Sequence, residues 1–190
     1  MLIYIHGFNS SPASGKAQRV KAKLEAMGRG AEFAAPALPS SPAQAAAQLD
    51  ALAKRYPGAG LIGSSLGGYY ATWLAEKHDL RAALLNPAVR PYELLSAHLG
   101  VQQNLYTGER YEFTAQHVEE LRSLEVPAVA ARRYLLIVAT GDEVLDYRAA
   151  VERYRGCRQI VIEGGDHGLS DFATRLDAVF DHLDAPRRSA

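Results

Sequence analysis

The chain has 190 residues, of which 48% are hydrophobic and 22% are charged, with 21 basic and 21 acidic side chains. These values are typical of one globular domain with a hydrophobic core large enough to need neither disulfides nor a structural metal. A net charge of zero argues against a nucleic-acid surface, since phosphate binding needs a clustered basic excess.

In chain order, short hydrophobic runs alternate with amphipathic segments, which is the pattern of repeated βαβ units. The runs are nearly continuous, as in parallel strands that are covered on both faces by helices. We therefore predict an α/β fold with a mostly parallel sheet of about six strands and helices on both faces. The predicted elements are strand 2–5, helix 15–27, strand 31–34, helix 43–55, strand 60–62, helix 66–77, strand 82–85, strand 134–139, helix 147–154, strand 159–162 and helix 170–183.

The second helix has the clearest start. Ser41 is the expected N-cap, Pro42 occupies the first helical position, and Gln44 lies three residues after the cap, as in a capping box.

The βα rhythm is interrupted between residues 86 and 133. This segment is longer than a crossover helix and contains Pro87, Pro91 and Pro127, so we predict a small insertion, or cap, over the carboxyl edge of the sheet. Residues 1–184 are expected to form a single domain, followed by a disordered tail at 185–190.

The cysteine content and the lengths of the hydrophobic runs favour a cytoplasmic location. The single cysteine, Cys157, has no partner for an internal disulfide, and no Cys and His cluster has zinc spacing, so no metal is expected. The run after Met1 is too short for a signal peptide, and no apolar run reaches the length of about 18 residues that a membrane span needs. We expect a cytoplasmic protein without a membrane span, and the sequence leaves its oligomeric state open.

The strongest functional motif is Gly63-Ser64-Ser65-Leu66-Gly67, a G-x-S-x-G sequence between a predicted strand and a predicted helix. In this context the motif is typical of a nucleophile elbow, a sharp turn that exposes one serine hydroxyl at the carboxyl edge of the sheet. Ser65 is therefore the predicted nucleophile. The alternative is a glycine-rich turn that merely packs closely or binds an anion, although it lacks the lysine of a P-loop.

The segment after the first strand is the expected second half of an oxyanion hole. It reads His6-Gly7-Phe8-Asn9 and lies where folds with a nucleophile elbow supply a main-chain N–H. We assign the two donors to the main-chain N–H groups of Phe8 and Leu66. The side chain of His6 is expected to hydrogen-bond the turn and to transfer no proton.

Three acidic residues follow the strongest predicted strand, within residues 140–146. Asp142 is closest to the strand end and is the predicted partner that orients a catalytic imidazole. Asp146 lies where the next helix begins and is expected to cap it, and Glu143 is expected to be solvated.

His167, in Gly164-Gly165-Asp166-His167-Gly168, is the predicted general base. An imidazole titrates near neutral pH, and the flanking glycines allow the loop to approach the nucleophile. The chain order Ser65, Asp142, His167 is the order that hydrolases with a nucleophile elbow use. Asp166 is expected to be a turn residue. The histidines expected to be solvated are His78, His98, His117 and His182.

At these motifs the sequence resembles the α/β-hydrolase superfamily, and more closely the YqiA-like bacterial esterase family. The resemblance extends over nearly the whole chain. It rests on HGFNSSP at 6–12, GSSLGGYYATWL at 63–74, NPAVRP at 86–91, TGDEVLD at 140–146 and GGDH at 164–167. It implies a cytoplasmic serine esterase or thioesterase with Ser65, Asp142 and His167 as its triad. Two residues after His167 the family usually has an aromatic residue, whereas this chain has Leu169. This difference concerns the wall of the substrate pocket rather than the catalytic chemistry.

The predicted reaction is acyl transfer through Ser65, followed by hydrolysis of the acyl-enzyme by water that His167 activates, without a cofactor. The expected partner is a small acyl ester or thioester of undetermined chain length and leaving group. Aromatic and apolar side chains of the insertion are expected to form part of the acyl pocket. The alternative is an amphipathic helix that simply packs on the sheet, which would carry the same side chains. The assigned residues are Tyr92, Leu94, Leu95 and Tyr106. The alternatives are an amidase or peptidase and a non-catalytic, hydrolase-like scaffold that binds a ligand.

Overall fold

The computed structural model describes residues 1–185, so residues 186–190 of the predicted disordered tail lie outside the described residues. Strands and helices alternate along most of the chain. In chain order they are β1 (Leu2–Ile5), α1 (Gly15–Ala26), β2 (Phe33–Ala34), α2 (Pro42–Arg55), β3 (Gly60–Ser64), α3 (Leu66–His78), β4 (Arg81–Leu85), α4 (Pro91–Leu95), β5 (Gly100–Gln103), β6 (Arg110–Phe113), α5 (Ala115–Arg122), β7 (Tyr134–Ala139), α6 (Tyr147–Arg153), β8 (Arg158–Ile162) and α7 (Leu176–Asp184).

Six of the strands form one sheet in the order β2-β1-β3-β4-β7-β8, and all neighbours are parallel. This confirms the predicted α/β fold. The chain runs outward from β1 to β2 and then returns to place β3 on the other side of β1, so the strand order reverses between β1 and β3. In open α/β sheets, ligands bind in the crevice outside the carboxyl ends of the strands at this reversal.

The sheet is buried on both faces. Alternate residues of β1 point to opposite faces: Ile3 and Ile5 pack with α2, α3 and α6, whereas Leu2 and Tyr4 pack with α1 and α7. All six residues of β7 are buried. The continuous hydrophobic runs of the sequence therefore arise, as predicted, because both faces of the parallel sheet are buried.

Two elements are shorter than the sequence predicts. Strand β2 pairs through two residues only, because residues 30–32 form a 3-10 turn in which the N–H of Glu32 donates to the carbonyl of Arg29. Helix α7 begins at Leu176, since Leu169 has a φ of 50° and Asp166 accepts hydrogen bonds from Ser170.

The predicted N-cap of α2 is confirmed, since Ser41 Oγ accepts a hydrogen bond from the N–H of Gln44 over 3.3 Å. A residue of the insertion completes this cap. Glu120 of α5 accepts hydrogen bonds from Ser41 Oγ at 2.9 Å and from the N–H of Ala43 at 3.0 Å. The insertion thereby holds the start of α2.

The insertion consists of α4, the antiparallel hairpin β5–β6 and α5. The hairpin bonds the loop after β1: Tyr111 donates its hydroxyl hydrogen bond to Asn9 over 2.6 Å, and Asn104 donates to the carbonyl of Ser10 over 2.9 Å. Because β1 ends at Ile5, these contacts place the hairpin at the carboxyl edge of the sheet, as predicted for a cap.

Three of the four histidines that were expected to be solvated are half-buried, and that expectation is wrong for them. His78 lies 2.7 Å from Asp50, His117 accepts the N–H of Thr114, and His182 donates to the carbonyl of Arg133. Within residues 1–185, none of the helices has the length and apolar character required to cross a membrane.

Candidate active site

Ser65 occupies a strained turn between β3 and α3, with a φ of 54° and a ψ of −122°. This region of backbone conformation is unfavourable for a residue with a side chain and is found mainly where the surrounding structure enforces it. A Cβ at Gly67 would overlap the carbonyl oxygen of Ile5, and one at Gly63 would overlap the carbonyl oxygen of Gly67. The two glycines of the motif are therefore required by close backbone approach. The turn leaves Ser65 partly exposed, whereas Ser64 is buried.

Asp142 and His167 meet at the same edge of the sheet. His167 Nδ1 lies 2.9 Å from Asp142 Oδ2 and 3.0 Å from Oδ1. The side chain of Asp142 is only 1% exposed, and its Oδ1 also accepts the N–H groups of Val144 and Leu145 at 2.8 Å. Since a carboxylate only accepts hydrogen bonds, Nδ1 of His167 carries a proton and Nε2 of the neutral ring is the acceptor.

Ser65 and His167 line one cavity of about 350 Å³. Phe8 and Gly7 of the loop after β1 also line it, and a Cβ at Gly7 would lie 3.1 Å from the Cβ of Ser65. The loop that carries the N–H of Phe8 is therefore packed directly against the elbow. The N–H of Leu66, at the start of α3, follows Ser65 in the chain.

His6 is buried beneath this loop. Its Nδ1–H donates to the carbonyl of Gly7 over 3.0 Å, and its Nε2 accepts the N–H of Leu38 over 3.3 Å. Burial lowers the pKa of His6 and the hydrogen bond to Gly7 opposes this only partly, so the neutral ring is favoured. The ring therefore ties the loop after β1 to the segment after β2. That His6 transfers no proton stays a prediction.

The neighbouring acids have other partners. Asp146 caps α6 by accepting the N–H of Arg148 over 3.0 Å, which confirms its predicted place as an N-cap. Asp166 is a turn residue, as expected, and bonds Ser170. Glu143 is exposed to solvent, as expected. Its carboxylate also accepts a hydrogen bond from the N–H of His167 over 3.0 Å.

The four residues proposed for the substrate pocket lie in different places. Tyr106 lines the cavity with Ser65 and His167, and so does Leu169. Leu94 lines a second cavity of about 590 Å³, beside Leu145 and Asp146. Tyr92 is 3% exposed and Leu95 packs against the core on the α2 side of the sheet.

Asn86 has a structural role that the sequence did not predict. The residue is 3% exposed and has a φ of 41°. Its Nδ2 donates to the carbonyls of Asp166 and His167, both at 3.1 Å, and its Oδ1 accepts the N–H of Ala139 at 2.9 Å. It therefore joins the end of β7 to the loop that bears His167. The signal was an asparagine directly after a buried strand and before a proline, a combination that occurs in many turns.

The segment after Asn86 also supports the elbow. The N–H of Ala88 donates to the carbonyl of Ser65 over 3.1 Å, and the N–H of Ser65 donates to the carbonyl of Leu85 over 3.0 Å. The chain around Asn86 is thus bonded both to the serine turn and to the histidine loop.

A family model described as "Uncharacterised protein family (UPF0227)" matches residues 1–184. Similar solved structures include Est1E from Butyrivibrio proteoclasticus with bound ferulic acid, at 18% identity and a TM-score of 0.72, covering 96% of this chain and 87% of that one. Alpha/beta hydrolase domain-containing protein 10 from mouse has 16% identity and a TM-score of 0.69, covering 96% and 90%. A monoacylglycerol lipase from Paleococcus ferrophilus has 16% identity and a TM-score of 0.62, covering 95% and 94%.

Proposed function

Because the chain belongs to the UPF0227 family, the YqiA-like esterases, and has the α/β-hydrolase fold, we propose that it is a serine hydrolase of carboxylic esters or acyl thioesters. Ser65 is the nucleophile, His167 the general base and Asp142 the residue that orients the imidazole. Among the similar structures are a monoacylglycerol lipase and an alpha/beta hydrolase domain-containing protein, which supports the same reaction class.

The observation that carries the proposal is the pairing of His167 with buried Asp142 beside the cavity that Ser65 lines. The hydrogen bond at Nδ1 selects the tautomer whose Nε2 accepts a proton. A strained serine turn and an oriented imidazole at one crevice are the two parts that nucleophilic catalysis by a hydroxyl requires.

The reaction proceeds in two halves. Ser65 Oγ attacks the substrate carbonyl while its proton passes to Nε2 of His167, and the imidazolium is stabilised by the carboxylate of Asp142. His167 then protonates the departing alcohol or thiol, which leaves an ester between Ser65 and the acyl group. Water activated by His167 hydrolyses this ester and restores the free serine.

The N–H groups of Phe8 and Leu66 bind the oxyanion that forms in each half. Each donor of this kind contributes about 3 kcal/mol to stabilisation of the transition state. The packing of the Gly7 turn against Ser65 supports this assignment, because it brings the main chain of the β1 loop to the attacked carbonyl.

The test is covalent labelling with a fluorophosphonate, read by intact mass and by peptide mapping. We expect the wild-type protein to take up one label at Ser65 and Ser65→Ala to take up none, while Ser65→Ala keeps its melting temperature because a partly exposed hydroxyl contributes little to the core. Ser64→Ala is the matched control and should still be labelled at Ser65. Labelling at Ser64, or no labelling of the wild type, would overturn the proposal.

Hydrolysis of matched 4-nitrophenyl esters and 4-nitroanilides separates the esterase from the amidase or peptidase. We expect turnover of the esters to exceed that of the anilides, with Ser65→Ala inactive on both. No labelling of Ser65, together with no turnover of either class, would favour a ligand-binding scaffold instead.

A further inference from the structure

One wall of the cavity at Ser65 is basic. Lys16 and Arg19 of α1 line it, and the remaining polar side chains include the hydroxyls of Tyr4, Ser10 and Tyr106. Among the described residues that line this cavity, none is an aspartate or glutamate. The wall therefore offers hydrogen-bond donors and positive charge rather than a hydrocarbon surface.

Both cations are held in place by the loop that follows His167. Lys16 Nζ donates to the carbonyl of Gly168 over 2.8 Å, and the guanidinium of Arg19 donates to the carbonyl of Ser170 over 2.8 Å. An ammonium has three N–H donors and a guanidinium five, and these contacts use one of each. Lys16 and Arg19 thus lie about one helical turn apart in the wall of the Ser65 cavity, and each has N–H groups that these two hydrogen bonds do not use.

Two carboxylates, those of Asp166 and Asp142, lie near enough to Lys16 to attract its ammonium, but each accepts its hydrogen bonds from other groups. Asp142 is paired with His167 and with two main-chain N–H groups, and Asp166 bonds both the N–H and the hydroxyl of Ser170. Glu143 accepts the N–H of His167. In addition, α1 begins directly after Ser14, whose side chain makes no capping hydrogen bond, so the positive end of the helix dipole faces this region uncapped by that hydroxyl.

We propose that this cavity selects esters that carry a carboxylate, which Lys16 and Arg19 bind while Ser65 attacks the ester carbonyl. The inference rests on the proposed function and narrows its substrate class. The anion makes charge-assisted hydrogen bonds to the two side chains, and these are stronger than bonds between neutral groups.

The substrate test uses pairs of esters in which a free carboxylate is compared with its methyl ester. In the acyl arm, 4-nitrophenyl hydrogen adipate is compared with 4-nitrophenyl methyl adipate; in the alcohol arm, 4-acetoxybenzoate is compared with its methyl ester. We expect kcat/KM to be about tenfold higher for the anionic ester in at least one arm. The advantage should shrink as sodium chloride rises, because salt screens the attraction. Equal kcat/KM within both pairs would overturn the proposal.

The variants separate charge recognition from support of the histidine loop. Lys16→Gln and Arg19→Gln should lower kcat/KM about tenfold more for the preferred anionic ester than for the neutral ester, whereas Lys16→Arg should keep the preference. Lys21→Gln is the matched control, since it removes one charge from the same helix where Lys21 pairs with Glu25. An equal loss on anionic and neutral esters in Lys16→Gln would show a purely structural role and overturn the proposal.

Binding measured without turnover keeps this inference separate from the proposed function. Calorimetric titration of Ser65→Ala with both members of each pair should show tighter binding of the anionic ester. Equal affinities overturn the charge preference even if the wild type is labelled at Ser65. If Ser65 is not labelled, the assignment of the nucleophile is overturned. The preference for an anion is then still decided by the calorimetric affinities, because they do not depend on turnover.

Discussion

Asp142 and Asp146 are four residues apart but have different surroundings. The carboxylate of Asp142 is buried against His167, whereas that of Asp146 caps α6. Asp142→Asn should lower kcat by about 10²-fold to 10⁴-fold through the wrong imidazole tautomer. Asp146→Ala should leave kcat intact and cost about 1 kcal/mol of unfolding free energy. Ester kinetics and urea denaturation measure the two effects. Comparable kinetic losses in both variants would contradict the assignment.

Asn86 is expected to be a positioning residue for His167. In Asn86→Asp, the carboxylate still accepts the N–H of Ala139 but faces the carbonyls of Asp166 and His167 without a proton to donate. The repulsion should displace the histidine loop and lower kcat about tenfold or more, with KM little changed, and should lower stability by about 2 kcal/mol.

The control for Asn86 is Tyr134→Phe. It removes a buried hydrogen bond to Glu76 at the amino end of β7, the edge opposite the candidate site. We expect this variant to lose stability and keep kcat. If Asn86→Asp loses stability and keeps the wild-type kcat as well, Asn86 is a structural residue only.

We expect the insertion to contribute to the substrate site through its hairpin rather than through α4. Tyr106, between β5 and β6, lines the Ser65 cavity and is 51% exposed, whereas Tyr92 of α4 is buried with the guanidinium of Arg122 over its ring. Tyr106→Ala should therefore shift the preference among 4-nitrophenyl esters of two to eight acyl carbons. Tyr92→Ala should keep the profile and cost about 3 kcal/mol of stability. An unchanged profile in Tyr106→Ala would remove the hairpin from the pocket.

A network of charged side chains around the half-buried Asp50 joins two helices on one side of the sheet and contributes to the stability of the whole fold. Asp50 of α2 lies 2.7 Å from Lys54, from Lys77 of α3 and from His78. Burial raises the pKa of Asp50, but the three hydrogen bonds outweigh it and bring the pKa below its ordinary value of 3.8. A carboxyl group with a depressed pKa stabilises the fold above its unfolded pKa, and this stabilisation is lost as the pH falls through the folded value.

Asp50→Asn should consequently lower the free energy of unfolding by about 1 kcal/mol at pH 7. The difference from the wild type should shrink as the pH falls below about 4. Urea denaturation across this range measures both. Glu152 of α6 forms an exposed pair with Arg155, which follows the helix, and Glu152→Gln should change stability by less than about 0.5 kcal/mol at either pH. A difference at Asp50 that stays constant with pH would contradict this account.

The amino-acid sequence by itself determined the layer architecture, because burial on both faces of a parallel sheet leaves continuous hydrophobic runs. Strands β1 and β7 have the predicted bounds, and the remaining sheet strands differ by one or two residues at an end. The serine turn was also readable, since its glycines are demanded by backbone contacts within the turn and with β1. The roles of Ser65, Asp142 and His167 remain predictions that the proposed experiments test.

Only the tertiary structure decided which distant groups meet. The hydrogen bonds of Asn86 to the His167 loop, the capping of α2 by Glu120 and the placing of Lys16 beside Ser65 join segments separated by tens of residues. A single sequence records local conformation and burial, because these leave periodic patterns, whereas one asparagine, glutamate or lysine looks the same whether it is solvated or paired. For that reason the sequence did not show which of Tyr92, Leu94, Leu95 and Tyr106 lie at Ser65. Of the four, Tyr106 lines the Ser65 cavity, together with Lys16 and Arg19, because α1, the hairpin and the histidine loop pack around the end of β3.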